Sequence, residues 1–108
     1  MIDHITLLVS DFDRSLAFYR DALAPLGYAV LHKFTRAEVP SLPTSAMAGL
    51  GTPGKPDLWL RAADGPVVPT HVAMGAPDRA TVDAFHKAAL AAGGKDHGAP
   101  GLDRKSVV

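Results

Sequence analysis

Apolar and polar positions alternate at the start of the chain and then change to a helical spacing. In the stretch IDHITLLV, which begins at residue 2, Ile5, Leu7 and Val9 share one face of a predicted strand, because strand side chains alternate between faces. Asp11 is a suitable N-cap for a helix that continues to about Ala24. Apolar residues recur along this helix every three or four positions and predict one buried stripe: Phe12, Leu16, Tyr19, Leu23 and Leu26.

Three further strands are predicted after this helix. They cover residues 28–34, 45–50 and 57–62, and the second of them is short and weak. A loop at residues 35–44 and a turn at residues 51–56 separate them. The last strand, DLWLRA, places its two leucines on one face and Asp57, Trp59 and Arg61 on the other. The first part of the chain is therefore predicted to have the order β-α-β-β-β.

The first 25 residues of this unit are repeated later in the chain. A shift of 67 residues aligns HITLLVSDFDRSLAFYRDALAPLGY (4–28) without a gap on HVAMGAPDRATVDAFHKAALAAGGK (71–95). Eight positions are identical: His4/His71, Asp11/Asp78, Ala17/Ala84, Phe18/Phe85, Ala22/Ala89, Leu23/Leu90, Ala24/Ala91 and Gly27/Gly94. Two copies are too few for a solenoid, and they predict a pseudo-symmetric domain in which a histidine opens each half.

The second half begins like the first but has less sequence to continue. A strand at residues 70–76 and a helix at residues 79–92, capped by Asp78, are predicted. Only 13 residues follow Lys95, and DHGAPGLDRKSVV cannot supply three strands. We expect one domain over residues 1–108, with module one at 1–67 and a partial module two at 68–108. The second module is then either naturally incomplete or truncated.

Composition excludes several classes of protein. Basic and acidic side chains number 11 each, so the chain lacks the basic surplus that is typical of nucleic-acid-binding domains. No apolar run approaches the length of about 20 residues that a membrane span requires. Since there is no cysteine, disulfides, thiolate metal sites and cysteine nucleophiles are excluded. We therefore expect a cytoplasmic protein with no nucleic-acid or membrane partner.

The β-α-β-β-β order, followed by β-α with a histidine opening each half, resembles the vicinal oxygen chelate superfamily. This superfamily includes glyoxalase I, bleomycin-binding proteins and extradiol dioxygenases. The segments DHITLLVSDFDRSLAFYRDALAPLGY, GKPDLWL, THVAM and APDRATVDAFHKAALAAGG carry the resemblance. It implies an α+β fold of paired, pseudo-symmetric βαβββ modules around one cavity, with the second module incomplete here. A D-P-D-G-x-x-[IL]-E element that usually ends such proteins is absent, so the sequence departs from the pattern near Asp103.

The resemblance also implies a divalent metal ion, such as Fe, Mn, Ni or Zn, in the cavity. By position, His4 and His71 match the two first-strand ligands of the superfamily, and Asp57 is the candidate carboxylate ligand. The final-strand glutamate has no counterpart. Two imidazoles and a carboxylate with open positions suit lyase, isomerase or dioxygenase chemistry on a substrate with adjacent oxygen atoms. Both histidines are otherwise explained as polar strand-end residues, and Asp57 as a turn-capping carboxylate.

Three side chains are candidates for contact with a small-molecule ligand. Trp59 and Phe34 offer aromatic surface, and Arg61 offers a charge for an anionic group, although core packing and strand-edge solvation explain them equally well. His32 is predicted to be a surface residue.

Two alternatives to an enzyme remain open. One is a metal-free binding protein with an aromatic-lined crevice between subunits, and the other is an inactive truncated member of the superfamily. Missing strands would expose a sheet edge, so we expect a homodimer, possibly with exchanged modules.

Overall fold

The computed structural model describes residues 1–95. One mixed sheet with helices against one of its faces makes up this part of the chain. The elements in order are β1 (Ile5–Val9), α1 (Phe12–Leu23), a short 3₁₀ helix (Ala24–Leu26), β2 (Ala29–Thr35), β3 (Ala46–Thr52), β4 (Lys55–Ala62) and α2 (Arg79–Ala91). This order confirms the predicted α+β class and the β-α-β-β-β arrangement of the first module.

Local signals in the sequence set the bounds of α1. The Asp11 carboxylate accepts a hydrogen bond from the Arg14 backbone N–H at 3.2 Å, as an N-cap does. At the other end, Gly27 takes the left-handed conformation with φ of +82°, and its N–H donates to the Ala24 carbonyl oxygen. The predicted apolar stripe faces the sheet, and Phe12 and Leu23 are buried in it.

The sheet has the strand order β1-β4-β3-β2, with β1 parallel to β4 and the other pairs antiparallel. Ile5 lies opposite Leu58, and Leu7 opposite Leu60. The face that carries these residues packs under α1 and forms the core. Leu50, Leu58 and Leu60 are fully buried there, and each contributes roughly 1.5–3 kcal/mol of burial free energy.

The strand predicted to be short and weak is instead the inner strand β3. It runs over seven residues between β2 and β4, and Ala48 and Leu50 are completely buried. The predicted turn at residues 51–56 shrinks to Pro53 and Gly54, because the flanking residues join the two strands. Pairing on both sides stabilises a strand whose small residues have low intrinsic β-propensity.

The predicted strand at residues 70–76 is not formed. In the described chain, residues 66–76 contain no helix or strand, and α2 begins at Arg79. A strand needs a partner for its backbone groups, and this segment has alanine and glycine at positions 73, 75 and 76 with a proline at 77. It runs past the start of β1 without joining the sheet, so the predicted symmetry is realised only in the helix and in the glycine turn that follows it.

Helix α2 packs against α1 and the 3₁₀ helix. A small apolar cavity of about 140 Å³ lies between the halves, where Phe18 and Tyr19 of α1 approach Phe85 of α2 and Val72 and Met74 of the preceding segment. The residues after Lys95, which are predicted not to supply three strands, lie outside the described residues. The predicted end of module two also lies there. Among residues 1–95, no helix has the length and apolar character needed to cross a membrane.

Candidate functional site

The three predicted metal ligands line one cavity of about 410 Å³ at the start of β1 and β4. His4 precedes β1, Asp57 lies near the start of β4, and His71 lies in the irregular segment before α2. Tyr28 and Lys55 also line this cavity. Three candidate ligands that are far apart in the sequence therefore line the same cavity.

An irregularity in the sheet sets the position of Asp57. Leu50 pairs with Leu58, but Gly51 pairs with Pro56, so the β3–β4 register shifts beside Asp57. A bulge of this kind redirects a side chain. Asp57 therefore lines the cavity beside Leu58 and Tyr28, whereas Trp59 does not. The strict alternation predicted from the sequence, with Asp57 and Trp59 on one face, fails at this point.

Asp57 and Tyr28 form a partly buried polar pair. One carboxylate oxygen of Asp57, Oδ1, is buried and has no hydrogen-bond partner among the described residues. Burial, followed by a hydrogen bond to Asp57, raises the pKa of Tyr28 to about 12. An unpartnered buried oxygen is unfavourable, so Asp57 retains the capacity to accept a donor or a cation from the cavity. Tyr28 was not a predicted site residue, because a tyrosine after a helix cap carries no signal in the sequence.

His4 is held by a short chain of polar contacts. Its Nδ1 lies 2.8 Å from Oδ2 of Asp3, and Oδ1 of Asp3 lies 3.0 Å from Nζ of Lys55. The hydrogen bond from His4, followed by the hydrogen bond and the charge of Lys55, lowers the pKa of the Asp3 carboxyl group. Asp3 is therefore an ionised acceptor that connects His4 to the first residue of β4.

The donor types at the cavity fit a divalent metal, but their spacing does not enclose one. Two imidazoles and a carboxylate are a suitable set for Fe, Mn, Ni or Zn, and Asp57 presents an unpartnered oxygen. Within residues 1–95, however, no group of three histidine, aspartate or glutamate side chains is close enough to hold an ion. His4 and His71 are both exposed and precede or lie outside regular strands. Ion binding would therefore require a movement of at least one of these segments.

The three predicted ligand-contacting residues lie on a different surface, the sheet face opposite α1. Across this face the strand register aligns His32 with Gly49 and Trp59, and Phe34 with Met47 and Arg61. None of Trp59, Phe34 and Arg61 lines the cavity with the histidines. The structure thus separates the candidate metal ligands from the candidate ligand-contacting residues, which were predicted to share one cavity.

Three rings on this face lie nearly parallel. The centroids of His32 and Trp59 are 6.0 Å apart at an interplanar angle of 4°, and those of His32 and Phe34 are 6.1 Å apart at 9°. Gly49 makes this possible, since a Cβ at that position would lie 2.9 Å from Cζ2 of the indole. We call His32, Phe34 and Trp59 the aromatic row. His32, predicted to be only a surface residue, is its central member.

Arg61 borders the aromatic row on β4. It lies opposite Met47 and Leu8 in the strand pairing and donates from Nη2 to the Pro43 carbonyl oxygen at 3.4 Å. Leu8 is 52% exposed and Phe34 is 37% exposed. The described residues leave this face open to a ligand or a partner.

Comparison with known proteins identifies the family. A family model described as "Glyoxalase/Bleomycin resistance protein/Dioxygenase superfamily" matches residues 1–104. No curated protein matches the chain.

Proposed function

Because this chain belongs to the glyoxalase/bleomycin resistance protein/dioxygenase superfamily, we propose that its cavity binds a small molecule with adjacent oxygen atoms together with a divalent metal ion. One observation carries the proposal: His4, Asp57 and His71, the donors nominated by the repeat and the resemblance, line the same cavity. The reaction would be a lyase, isomerase or dioxygenase step.

Each donor has a defined role in this proposal. Neutral imidazoles of His4 and His71 and the free oxygen of Asp57 would hold the ion, which supplies Lewis-acid stabilisation of a charged substrate oxygen when bound. Asp57 presents a buried Oδ1 without a hydrogen-bond partner among the described residues, and this oxygen is available to the ion. His71 belongs to the irregular segment before α2, which lines one side of the cavity.

Metal analysis of the purified chain tests this proposal. We expect stoichiometric Fe, Mn, Ni or Zn in the wild type and its loss in His4→Ala, Asp57→Asn and His71→Ala. His32→Ala is the matched control, because His32 is an exposed histidine that does not line the cavity. Metal-free protein in every preparation, with no binding of added Mn²⁺, Ni²⁺ or Zn²⁺ in calorimetry, would overturn the proposal.

A second candidate function is metal-free binding of a small molecule on the aromatic row. The parallel rings of His32, Phe34 and Trp59 support it, since aromatic side chains bind flat ligands through their faces. In this case Arg61 would attract an anionic group of the ligand. Such a protein would sequester its ligand without transforming it.

Trp59 provides the assay for this candidate, because it is the only tryptophan in the chain. Bleomycin and benzoate are suitable probes of a cationic and an anionic aromatic ligand. A saturable change in fluorescence that persists in EDTA and is lost in Phe34→Ala, but not in the α2 control Leu90→Ala, would favour binding. No change with either probe would count against it.

We also propose a homodimer, and an exchange of modules between its subunits is one arrangement that would form it. In the described part of the chain the outer edge of β1 is unpaired and the face with the aromatic row is open, which are features that proteins usually cover. A monomer in sedimentation at micromolar concentration would contradict it. A cytoplasmic location stays a prediction.

A further inference from the structure

We propose that Asp3 and Lys55 are positioning residues that hold His4 with its Nε2 atom free toward the cavity. This inference rests on the proposed metal site and extends it. Neither residue was a candidate in the sequence, and neither matches a ligand position implied by the resemblance.

The contacts form a continuous chain from β4 to the imidazole. Nζ of Lys55 lies 3.0 Å from Oδ1 of Asp3 and 3.4 Å from its main-chain oxygen. The other carboxylate oxygen, Oδ2, lies 2.8 Å from Nδ1 of His4. Asp3 is thus held at two points by one ammonium group and presents its remaining oxygen to the ring.

This arrangement determines which ring nitrogen carries the proton. An ionised carboxylate can only accept a hydrogen bond, so Nδ1 of His4 must be the donor. In a neutral imidazole the proton on Nδ1 leaves a lone pair on Nε2. Histidines that bind metals usually donate their other nitrogen to a carboxylate or a carbonyl oxygen, which fixes the tautomer and the ring orientation. Asp3 stands in this relation to His4.

The strand β4 thereby controls two of the three proposed donors. It carries Asp57 directly, and through Lys55, its first residue, it fixes Asp3 and His4. His71 makes no comparable side-chain hydrogen bond in the part of the chain that is described, and it lies in the irregular segment before α2. We infer a site in which His4 and Asp57 are arranged before binding, and His71 joins when the ion is present.

Because the three side chains are exposed, their role in orienting His4 can be distinguished from a role in stabilising the fold. His4, Asp3 and Lys55 have side chains that are 54%, 78% and 54% exposed. Contacts between such exposed charges contribute little to the free energy of unfolding. Loss of Asp3 should therefore change the His4 ring and its affinity for metal without changing the melting temperature.

Two measurements on the full chain test the inference. Nitrogen-15 shifts of the His4 ring at pH 8, assigned by comparison with His4→Ala, report the tautomer. Zn²⁺ calorimetry reports affinity. In the wild type we expect the Nδ1–H tautomer. Asp3→Ala should move it toward Nε2–H and raise the Kd for Zn²⁺ by about 10-fold, at the lower end of the effect of losing such a partner. Lys55→Met should have a smaller effect in the same direction.

Asp21→Ala is the control, since Asp21 is also an exposed aspartate in an ion pair, and its partner is Arg20 on α1. It should leave both readings unchanged. An unaltered His4 tautomer in Asp3→Ala would overturn the inference, and so would an unaltered Kd in a chain that binds Zn²⁺. If the wild type binds no Zn²⁺, the proposed metal site fails, but the tautomer measurement still decides whether Asp3 orients His4.

Discussion

The two copies of the repeated segment have nearly the same pattern and reach different structures. In the first copy, residues 4–28, a strand, a capped helix and a glycine turn are all formed. In the second, residues 71–95, the capped helix and a glycine turn with φ of +105° at Gly93 are formed, but the strand is not. The two copies share the signals for the helix and its ends, so the difference lies in the segment before the helix.

The strands show this most clearly. Residues Ile5–Val9 pair with β4, which supplies backbone partners and the leucines of the core. The corresponding stretch of the second copy begins with His71 and pairs with no strand within residues 1–95, although the outer edge of β1 is unpaired. It has alanine and glycine at positions 73, 75 and 76 and a proline at 77, which are poor strand formers. A matching hydrophobic pattern alone therefore does not make a strand.

The helices differ in depth. Both begin at an aspartate N-cap, with Asp11 bonded to the Arg14 N–H and Asp78 to the Thr81 N–H at 2.8 Å. Helix α1 lies on the sheet and buries Phe12, Ala22 and Leu23, whereas none of the described side chains of α2 is buried. Capping therefore sets where a helix starts, and the surface beneath it sets how much it stabilises the fold.

The largest expected effect comes from truncating equivalent leucines in the two helices. Leu23 is 2% exposed and Leu90 is 37% exposed. Leu23→Ala should lower the free energy of unfolding by about 2–5 kcal/mol through lost burial and a cavity, whereas Leu90→Ala should change it by only about 0.5 kcal/mol. Urea denaturation measures both. Equal losses in the free energy of unfolding would show that α2 is as deeply packed as α1 and would contradict the difference between the two helices.

Hydrogen exchange should separate the two strand segments without any mutation. Amides of β1 that bond to β4 should exchange only through large openings of the sheet, because they are paired within a buried ladder. Amides at residues 71–75 should exchange close to the rate of an unstructured peptide. Exchange resolved by NMR checks this, and strong protection at Val72 or Ala73 would mean that the second strand does form.

A pH effect on stability should arise from Tyr28, a position occupied by Lys95 in the second copy of the repeat. Burial and the bond to Asp57 raise the pKa of Tyr28 from 10.0 to about 12. The folded state thus favours the neutral phenol, and its contribution to stability is fully present below pH 10 and is lost as pH rises through about 12.

Urea midpoints between pH 9 and 12 test this effect. Tyr28→Phe should flatten the decline above pH 10, while Leu90→Ala, a substitution of a partly exposed, non-ionisable side chain on α2, should not change its slope. A wild-type midpoint that is constant across this range would contradict the role given to Tyr28.

The smallest effect is expected at the caps. The Asp78 pKa is lowered by the backbone N–H of Thr81 and then by its hydroxyl group. The depressed value means that the cap is fully effective above the ordinary pKa of 3.8 and is lost as pH falls through the lower folded pKa. Carboxyl carbon-13 titration should show that Thr81→Val moves the Asp78 pKa back toward its ordinary value. If the Asp78 pKa is the same in Thr81→Val as in the wild type, the Thr81 hydroxyl group does not contribute to lowering it.

Part of the site was predictable and part was not. The repeat nominated His4 and His71, and the resemblance added Asp57, all of which line one cavity. Tyr28 and His32 could not be identified from the sequence. The role of Tyr28 depends on the bulge that places Asp57 beside it, and the role of His32 depends on the absence of a side chain at Gly49, which lets the Trp59 ring lie close to the strand. Asp3 and Lys55 are 52 positions apart, so their contact could not be inferred from spacing.

The sequence by itself determined the features that depend on neighbouring residues. Periodicity and caps placed β1, α1, β2, β4 and α2 to within about three residues, because hydrogen bonds of helix ends and turns are local. The family also follows from the sequence. Tertiary structure decided that β3, with its alanines and glycines, is an inner strand, and that residues 70–76 form none. Tertiary structure also placed Asp57 in the cavity with the two histidines and left Trp59 outside that cavity. Each of these three outcomes depends on which strands are neighbours in the sheet. Residues distant in the sequence supply those neighbours, so the outcome is decided only in the folded chain.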